Sequence, residues 1–430
     1  MIFNRHLFSL VVLAIFSVST PLAAKHFTYS QIHEMPQSVE KDYYIWRFLR
    51  QKSTTSSQAR AMIKEVNNLN KKLKEAYRKK TGSYPGFRPK PIRYKSRDSE
   101  LWKNRVQGNY AFRKGISMVQ KHQPKLAAQY FSSSYRIYKE RREKDKSLFW
   151  LYLVTKNGEY LTMLKQSYHI NIYTLLAADL TKSKYPKSIV APKITKESIW
   201  GIDAEDPIDW AKMKHKIFSG EADLNDLAED CESQETIGMH TYIKAKACDN
   251  TKAYFPMPYR DLMEKYPVER QALIYAIARQ ESRFIPASIS RSFALGMMQF
   301  MPFLIDHVAK EKGENIDYDD IFDPYKAIEY ANFHLDYLTK YLYHPLFVAY
   351  AYNGGIGFTK HLIRKKGNFR PGPFEPYLSI EKIGNAEARE YGKKVLTNYI
   401  IYMNMLGKPI RLLPFIKTLT DPYQTDRFRK

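Results

Sequence analysis

The chain has 430 residues, enough for two or three domains, and its 44% hydrophobic content excludes a low-complexity or collagen-like protein. Its formal net charge of +25, from 69 basic against 44 acidic residues, would attract a polyanion such as nucleic acid, anionic lipid or an acidic cell-wall polymer. The basic residues are spread along the chain, which is typical of a solvated basic face, so charge alone names no partner.

The first residues, 1–24, predict a cleaved signal peptide. Arg5 and His6 precede an apolar run from Leu7 to Val18, which is shorter than the roughly 20 residues of a membrane span and is followed by the small residues of STPLAA. An uncleaved anchor is the alternative. No cysteine ends the run, which argues against a lipid-anchored precursor. Export argues against a nucleic-acid partner.

Residues 25–184 are predicted to form a series of consecutive helices, with very little indication of strands. One stretch places apolar side chains at helical spacing: Ile63, Val66, Leu69, Leu73 and Tyr77. A stack of antiparallel helices is the simplest interpretation, and it predicts an all-α fold class.

Residues 185–255 interrupt this pattern and are predicted to form a small linker domain. The stretch YPKSIVAPKITKESIWGIDAEDPIDW contains prolines and a glycine and has no sustained period. The only two cysteines, Cys231 and Cys248, follow in this region. In an exported protein such a pair indicates one disulfide, and two free buried thiols are the alternative.

Residues 256–406 are predicted to form a compact unit, and residues 407–430 an extended tail. Between Arg270 and Ile305 the only carboxylate is Glu281. It falls on the apolar stripe of a predicted helix made by Leu273, Ile274, Ile277, Ala278 and Phe284. Burial would raise the pKa of such an acid and suit it to general acid catalysis. A helix-end glutamate that reaches solvent, or that pairs with Arg279 or Arg283, is the alternative interpretation.

Polar turns and helix caps follow this acid. SISRSFALG is turn-like, and MMQFMP comes directly after it. Farther on, Asp323 is a predicted N-cap with Pro324 at the first helical position. In AYAYNGGIG, Gly354 and Gly355 can supply a left-handed helix cap.

Four motifs in order resemble those of the soluble lytic murein transglycosylases. ARQESRF, SISRSFALGMMQFMP, AYNGG and EAREYGKKV correspond to ES-x-F, S-x-x-GA-x-GLMQ-x-MP, AYNAG and ETR-x-Y-V in that family. The resemblance covers Pro256 to Leu406, and the helical front half resembles the α-superhelical domain of the family in architecture. It implies a lysozyme-like α catalytic domain in a periplasmic enzyme acting on peptidoglycan, with no cofactor.

The resemblance implies that Glu281 is the single catalytic acid and base. It would cleave the bond between N-acetylmuramic acid (MurNAc) and N-acetylglucosamine (GlcNAc) and leave a 1,6-anhydro-MurNAc end without using water. One carboxylate then suffices, because the nucleophile belongs to the substrate, whereas a hydrolase usually needs a second carboxylate close by. By the same resemblance the substrate-binding residues are Ser290, Gln299, Met301, Tyr352, Asn353 and Glu387. For Glu387 a structural role opposite Arg389 is equally open.

The chain departs from the family pattern at three positions. Phe293 stands where the family usually has glycine, which predicts a different backbone and a bulkier rim after Ser290. Met297 replaces leucine with little change in volume, and Gly354 replaces alanine. None of these changes involves the acid, so activity is expected.

Other functions compete with this interpretation. A hydrolase related to goose-type lysozyme would need a second acid, for which Asp306 and Glu329 are candidates. A binding scaffold would grip glycan without cleaving it. Nucleic-acid binding would need a clustered basic stripe. No metal-ligand spacing and no phosphate-binding loop occurs in the sequence. We expect a monomer that binds peptidoglycan glycan strands and contacts the cell wall or a membrane surface peripherally.

Overall fold

A computed structural model describes residues 25–89 and 99–429, so the predicted signal peptide at 1–24 lies outside the described residues. Within those ranges the chain is almost entirely helical, and the predicted all-α fold class is confirmed. None of the described helices is long and apolar enough to cross a membrane.

The front half is built from helices joined by short connections. They are α1 Tyr29–His33, α2 Val39–Arg50, α3 Ser56–Met62 with a 3₁₀ turn Ile63–Glu65, α4 Lys71–Thr81, α5 Ser99–Gln120, α6 Pro124–Ile137, α7 Arg141–Thr155, α8 Glu159–Lys165 and α9 Ile172–Leu180. Local capping explains where several begin and end. The Asn70 side chain accepts the Leu73 amide at the start of α4, and Gly82 ends that helix at a φ of 82°.

Close packing joins α5, α6 and α7. Gly108 and Gly115 lie on α5 where a Cβ atom would come within 2.4 Å of Tyr138 and 2.5 Å of Phe131. The absence of a side chain at these glycines therefore lets the helices approach each other. The rings of Phe131 and Trp150 stack at 5.5 Å in the buried interior. The front half is thus a stack of helices held by buried aromatic side chains.

Residues 185–255, predicted as a linker domain, carry helices and a small core. The elements are β1 Ile189–Val190, α10 Pro207–Ser219, α11 Leu224–Glu229, α12 Ile237–Ala247 and β2 Ala253–Tyr254. The two strands pair in parallel, with Ile189 opposite Ala253. A buried cluster separate from the main core includes Trp210, Leu227, Met239 and Ile243. The domain boundaries stay a prediction.

The two cysteines are free thiols in the structure, so the predicted disulfide is wrong. Thr236 Oγ1 donates to the carbonyl oxygen of Cys231 at 2.7 Å, which places Cys231 at the start of α12. Cys248 follows the last residue of that helix, which is 11 residues long. The ends of such a helix lie roughly 16 Å apart, whereas a disulfide joins Cα atoms about 4.4–6.8 Å apart.

The remaining helices surround α14. They are α13 Arg260–Met263, α14 Val268–Glu281, α15 Pro302–Lys312, a 3₁₀ helix Tyr318–Phe322, α16 Pro324–Thr339, α17 Pro345–Gly354, α18 Ile356–Arg364, α19 Tyr377–Glu381 and α20 Ala386–Met405. The predicted cap of α16 by Asp323, with Pro324 at its first position, is confirmed. Helix α20 packs against both α14 and α17. Gly392 permits the second contact, because a Cβ there would lie 2.1 Å from the Tyr350 ring.

The C-terminal residues, predicted as an extended tail, instead fold back onto the protein. They form α21 Leu412–Lys417, a 3₁₀ helix Thr418–Thr420 and α22 Pro422–Thr425. Leu412, Ile416 and Leu419 are fully buried. Asp426 and Arg429 form a buried ion pair at 2.6 Å. This apolar spacing and ion pair explain why the segment packs.

One hydrophobic core extends from the front half into residues 256–419 without interruption. A buried polar contact accompanies it, between α2 and the 3₁₀ helix Tyr318–Phe322. Arg47 of α2 donates to Asp319 at 2.8 Å and to Asp317 at 2.6 Å, and the Tyr43 hydroxyl donates to Asp319 at 2.7 Å. The two parts are therefore packed as one body around a shared core.

Candidate active site

Glu281 is the last residue of α14, whose preceding residues from Gln271 to Ala278 are all buried. Glu281 itself is half-buried at the C-terminal end of this buried helix. Neither neighbouring arginine pairs with it. Arg279 donates to Tyr254 O and to Asn398 Oδ1, and Arg283 lies over the Tyr242 ring.

The surroundings of Glu281 favour its protonated form. Burial raises the pKa of this carboxyl to about 7, and the nearby negative charge of Glu387 adds to the increase. A hydrogen bond from the Tyr391 hydroxyl to Glu281 Oε1, at 2.6 Å, opposes the shift. The C-terminal end of a helix also disfavours a negative charge. Glu281 can therefore hold a proton close to neutral pH.

A compact double turn, residues 288–300, lies beside the end of α14. Ser282 fixes it there, because its hydroxyl donates to Met297 O at 2.8 Å. Leu295 pairs with Ile289 and with Phe300 in two antiparallel bridges. Gly296, at a φ of 74°, passes so close to Ile321 O that a Cβ would lie 2.4 Å from it. Only glycine fits this position without moving the backbone.

Three of the predicted binding residues lie on or just after this double turn. Ser290 is half-buried, and its hydroxyl oxygen accepts the amide of Ala294 at 2.9 Å. Gln299 donates its amide to Ser288 O at 3.0 Å and to Gly296 O at 2.9 Å. Met301 is half-buried at the N-cap of α15. Ser290 and Gln299 thus brace the turn from within.

Phe293, which stands where the family usually has glycine, is accommodated in the turn by its backbone conformation and by burial of its ring. Its φ of 60° lies in the left-handed region that favours glycine. Its ring is fully buried and packs against the rings of Tyr43 at 5.9 Å and Trp46 at 5.7 Å, both on α2. The phenylalanine therefore joins the double turn to the front half. The bulkier rim predicted at this position is wrong, because the ring is fully buried.

Tyr352 and Asn353 lie in the last turn of α17, and Tyr352 is close to the same carboxyl. The Tyr352 hydroxyl donates to Met298 O at 3.0 Å, which ties α17 to the double turn. Burial raises the pKa of Tyr352, and the charge of Glu281 raises it further. Gly354 is the last helical residue, and Gly355, with a φ of 85°, ends the helix. The structure thus brings Tyr352 close to Glu281, 71 positions away in the sequence.

Glu387 lies in the first turn of α20 and is exposed. It does not face Arg389 as an ion-pair partner. Arg389 instead pairs with Glu390 at 3.2 Å and with Glu381 at 3.9 Å. Glu387 is nevertheless close enough to raise the pKa of Glu281. The alternative structural role of Glu387, opposite Arg389, is therefore wrong.

Sequence reasoning missed Tyr391, the residue that hydrogen-bonds Glu281. It is four positions after Glu387, so both lie on one face of α20. The tyrosine of EAREYGKKV was visible in the fourth motif, and its spacing from Glu387 was the signal that could have identified it.

The two acids considered for a hydrolase are engaged elsewhere. Asp306 is exposed and accepts the Tyr318 hydroxyl at 3.0 Å. Glu329 forms ion pairs with Lys312 at 2.6 Å and Lys326 at 2.8 Å. Among the acids in the part of the chain that the structure describes, Glu387 is the one that shifts the pKa of Glu281.

Helix α14, the double turn and the end of α17 all belong to a segment with known relatives. The family model described as "Transglycosylase SLT domain" matches residues 259–372. This part of the chain thus resembles the transglycosylase SLT domain, and we call residues 259–372 the SLT domain. The matched range includes Glu281 and the residues of AYNGG, while Glu387 and Tyr391 follow it.

Curated relatives agree with the SLT domain. A soluble lytic murein transglycosylase of Escherichia coli (strain K12) is 26% identical over 307 residues, which are 63% of this chain and 46% of that protein. One from Salmonella typhimurium is 28% identical over 222 residues, covering 50% of this chain and 34% of that protein. The chain thus spans less than half the length of these relatives. The resemblance to the soluble lytic transglycosylase family is confirmed.

The fold is shared with a solved structure over most of the chain. The X-ray structure of an inactive mutant of the lytic transglycosylase Slt from Pseudomonas aeruginosa aligns with a TM-score of 0.51. The sequence identity is 15%, and the alignment covers 94% of this chain and 69% of that chain. The likeness therefore includes the helical front half as well as the SLT domain.

Proposed function

We propose that this protein is a lytic transglycosylase that cleaves the β-1,4 bond between MurNAc and GlcNAc in peptidoglycan. The observation that carries the proposal is the state of Glu281. In an SLT domain, this carboxyl has its pKa raised to about 7 by burial and is held by the Tyr391 hydroxyl. The relatives named soluble lytic murein transglycosylases support the same substrate.

The geometry suits one group that acts first as acid and then as base. Because Tyr391 donates to Oε1, the proton of the neutral acid is left on Oε2. Glu281 gives this proton to the glycosidic oxygen as the bond to the MurNAc anomeric carbon breaks. It then takes the proton of the MurNAc C6 hydroxyl as that oxygen bonds to the anomeric carbon. The products are a GlcNAc end with a free 4-hydroxyl and a 1,6-anhydro-MurNAc end, and no water is consumed.

The residues around Glu281 would orient the sugars. The Asn353 side chain is half-buried and hydrogen-bonds to no other residue in 25–89 or 99–429, which suits it to bind an N-acetyl or hydroxyl group. The Gln299 side-chain amide donates two hydrogen bonds within the turn, so only its carbonyl oxygen is left to bind the substrate. Ser290, Met301, Tyr352 and Glu387 are proposed to complete the groove, as the family resemblance implies.

Peptidoglycan as substrate also fits the location and charge that the sequence predicts. An exported, strongly basic protein would reach the cell wall in the periplasm, where it would act in wall turnover and remodelling as a monomer. Its charge of +25 would attract the carboxylates of that polymer. The front half, packed against the SLT domain, would guide the glycan strand toward Glu281.

Glu281→Gln tests the proposal against a matched variant on the same helix, Glu269→Gln. Glu269 lies in the first turn of α14 and pairs with Lys408 at the surface. We expect Glu281→Gln to lower the rate of muropeptide release from purified sacculi by about 100- to 10,000-fold. The control should retain its rate. Equal rates for the two variants would refute the role of Glu281. Sacculus binding with no release by the wild type would favour a binding scaffold.

A further inference from the structure

A buried group of three side chains joins the front half to the helix that carries Tyr391. Tyr173 of α9 is 7% exposed, and its hydroxyl donates to Glu381 of α19. Lys393 of α20 donates to the Tyr173 hydroxyl at 3.0 Å and to Glu381 Oε1 at 3.2 Å. Each of the three side chains therefore contacts the other two. We call Tyr173, Glu381 and Lys393 the Lys393 cluster.

The Lys393 cluster is shielded from water. The side chains of Lys393 and Glu381 are each 5% exposed. Burial alone would lower the pKa of Lys393, but the carboxylates of Glu381 and Glu390 reverse this effect and raise it. Arg389 of α20 and Lys146 of α7 also carry charge near Lys393. Breaking a buried ion pair leaves a charge without its partner and costs far more than breaking an exposed pair. The cluster therefore resists any separation of α20 from α9 and α19.

Lys393 and Tyr391 point to opposite sides of α20. Successive residues of an α-helix are turned by about 100°, so side chains two positions apart differ by about 200°. On one side the Tyr391 hydroxyl donates to Glu281 Oε1 at 2.6 Å, and on the other Lys393 contacts α9 and α19. Gly392, between them, brings α20 against α17, where a Cβ would lie 2.1 Å from the Tyr350 ring. This turn of α20 is thus held from three sides.

The charges of the Lys393 cluster do not act on Glu281 directly. In the part of the chain that the structure describes, burial, the Tyr391 hydroxyl and the carboxylate of Glu387 shift the pKa of Glu281. Tyr352 of α17 is also close to the acid, but its raised pKa keeps its hydroxyl neutral. A hydrogen bond weakens steeply as its geometry departs from the optimum. The proton affinity of Glu281 therefore depends on where α20 places the Tyr391 ring.

We propose that Tyr173, Glu381 and Lys393 are positioning residues, which hold α20 so that the Tyr391 hydroxyl stays in contact with the Glu281 carboxyl. Through Tyr173 the front half then acts on the acid across the width of one helix. The consequence for catalysis rests on the proposed function. The proton affinity of Glu281, however, can be measured without turnover.

The test removes the hydroxyl that the front half contributes, in the variant Tyr173→Phe. The ring stays in place, but its hydrogen bonds to the rest of the Lys393 cluster are lost. The matched control is Tyr43→Phe on α2, where the lost hydroxyl has the same chemistry. It donates to Asp319 at 2.7 Å and accepts from Arg47 at 2.9 Å, and it also joins the front half to the rest of the protein.

The pKa of Glu281 is measured in each background by urea denaturation of the protein and of its Glu281→Gln form across a range of pH. Because the folded-state pKa is raised, the Glu281→Gln form gains stability over its parent as the pH rises, and a higher pKa enlarges this gain. We expect Tyr173→Phe to raise the pKa by about half a unit, which is about threefold in proton affinity. Tyr43→Phe should leave the pKa unchanged, although both variants lose a buried hydrogen bond.

A second comparison shows whether Tyr173 acts through Tyr391. In the Tyr391→Phe background, Tyr173→Phe should cause no further shift, because the hydroxyl that it positions is already absent. The proposal would be overturned by an unchanged pKa in Tyr173→Phe, by equal shifts in Tyr173→Phe and Tyr43→Phe, or by a shift that persists without the Tyr391 hydroxyl. The expected shifts in a protein that releases no anhydro ends would refute the proposed function alone.

Discussion

The surroundings of Glu281 disfavour the ionised form of its carboxyl. The carboxyl has a pKa of about 7 in the folded protein against 4.5 for a freely exposed glutamate, and burial is the main cause. The folded state therefore binds this proton more tightly than the unfolded state does. The stability contributed by the protonated form is complete below pH 4.5 and is lost as the pH rises through about 7.

Glu281→Gln should remove this loss, because glutamine cannot ionise. We expect the variant to gain stability relative to the wild type as the pH rises from 4.5 to 8, by at most about 3 kcal/mol in the free energy of unfolding. Urea unfolding of both proteins at the two ends of this range measures the difference. A difference that does not change with pH would show that Glu281 has an ordinary pKa.

Tyr391 sets how far that pKa rises. Its hydroxyl donates to the carboxyl and stabilises the charged form, so Tyr391→Phe should raise the pKa of Glu281 by about one unit. The alkaline limb of the kcat/KM profile should then move to higher pH. Tyr352→Phe is the matched control, because its hydroxyl donates to Met298 O. The same displacement in both variants would contradict the assignment.

The sequence predicted the acid but not its partner, for a physical reason. Glu281 was visible because one carboxylate interrupts an apolar helical period, which local spacing reveals. Tyr391 acts on it from 110 positions away, and only the packing of α20 against α14 brings them together. Likewise, no local pattern shows that the Gln299 amide donates to Ser288 O and Gly296 O.

At the scale of elements, the double turn 288–300 depends on the front half. Phe293 packs its ring against those of Tyr43 and Trp46 of α2. Asn70 Nδ2 donates to Arg291 O at 2.9 Å, just before this ring. The turn that carries Ser290 is therefore held by residues from a separate part of the sequence.

Phe293 can be tested by two substitutions that differ in backbone preference. Both Phe293→Ala and Phe293→Gly lose the buried ring and should destabilise the protein by about 3 kcal/mol. The glycine variant should be the more stable of the two by about 1 kcal/mol, because the φ of 60° strains alanine. Chemical denaturation gives both values. An alanine variant at least as stable as the glycine variant would contradict a left-handed backbone at this residue.

Helix geometry also explains where element-level predictions failed. The cysteines are 17 positions apart, a loop length that a disulfide can close. An intervening helix, α12, keeps them at its opposite ends. The prediction of an extended tail was wrong for the opposite reason. Leu412, Ile416 and Leu419 have the spacing of a helical face, and all three are buried. Both errors arose because a helix was not predicted from the sequence: α12 separates the cysteines, and α21 packs the C-terminal residues onto the protein.

At the scale of the molecule, the front half and the SLT domain share one core. Removing residues before about 254 would expose its apolar side chains, so such a truncation cannot separate substrate guidance from folding. Point substitutions at the contact between the parts are the better probe. The alternation of helices was predictable from the sequence, whereas the contact of α2 with residues 317–322 needed the structure.

Arg47→Met tests this contact. It would leave the carboxylates of Asp317 and Asp319 buried without their cation, and we expect a loss of about 3 kcal/mol in the free energy of unfolding. Arg50→Met, at an exposed arginine on the same helix, should cost less than about 1 kcal/mol. Similar losses for the two variants would mean that the buried ion pairs do not hold the two parts together.

The most direct test of the whole account is the mass of the muropeptides that the wild type releases from sacculi in oxygen-labelled water. An intramolecular attack by the C6 hydroxyl predicts 1,6-anhydro-MurNAc ends that carry no label, and none of these products from Glu281→Gln. Reducing MurNAc ends that contain the label would contradict the account. They would show hydrolysis, with Glu387 as the second carboxylate to test.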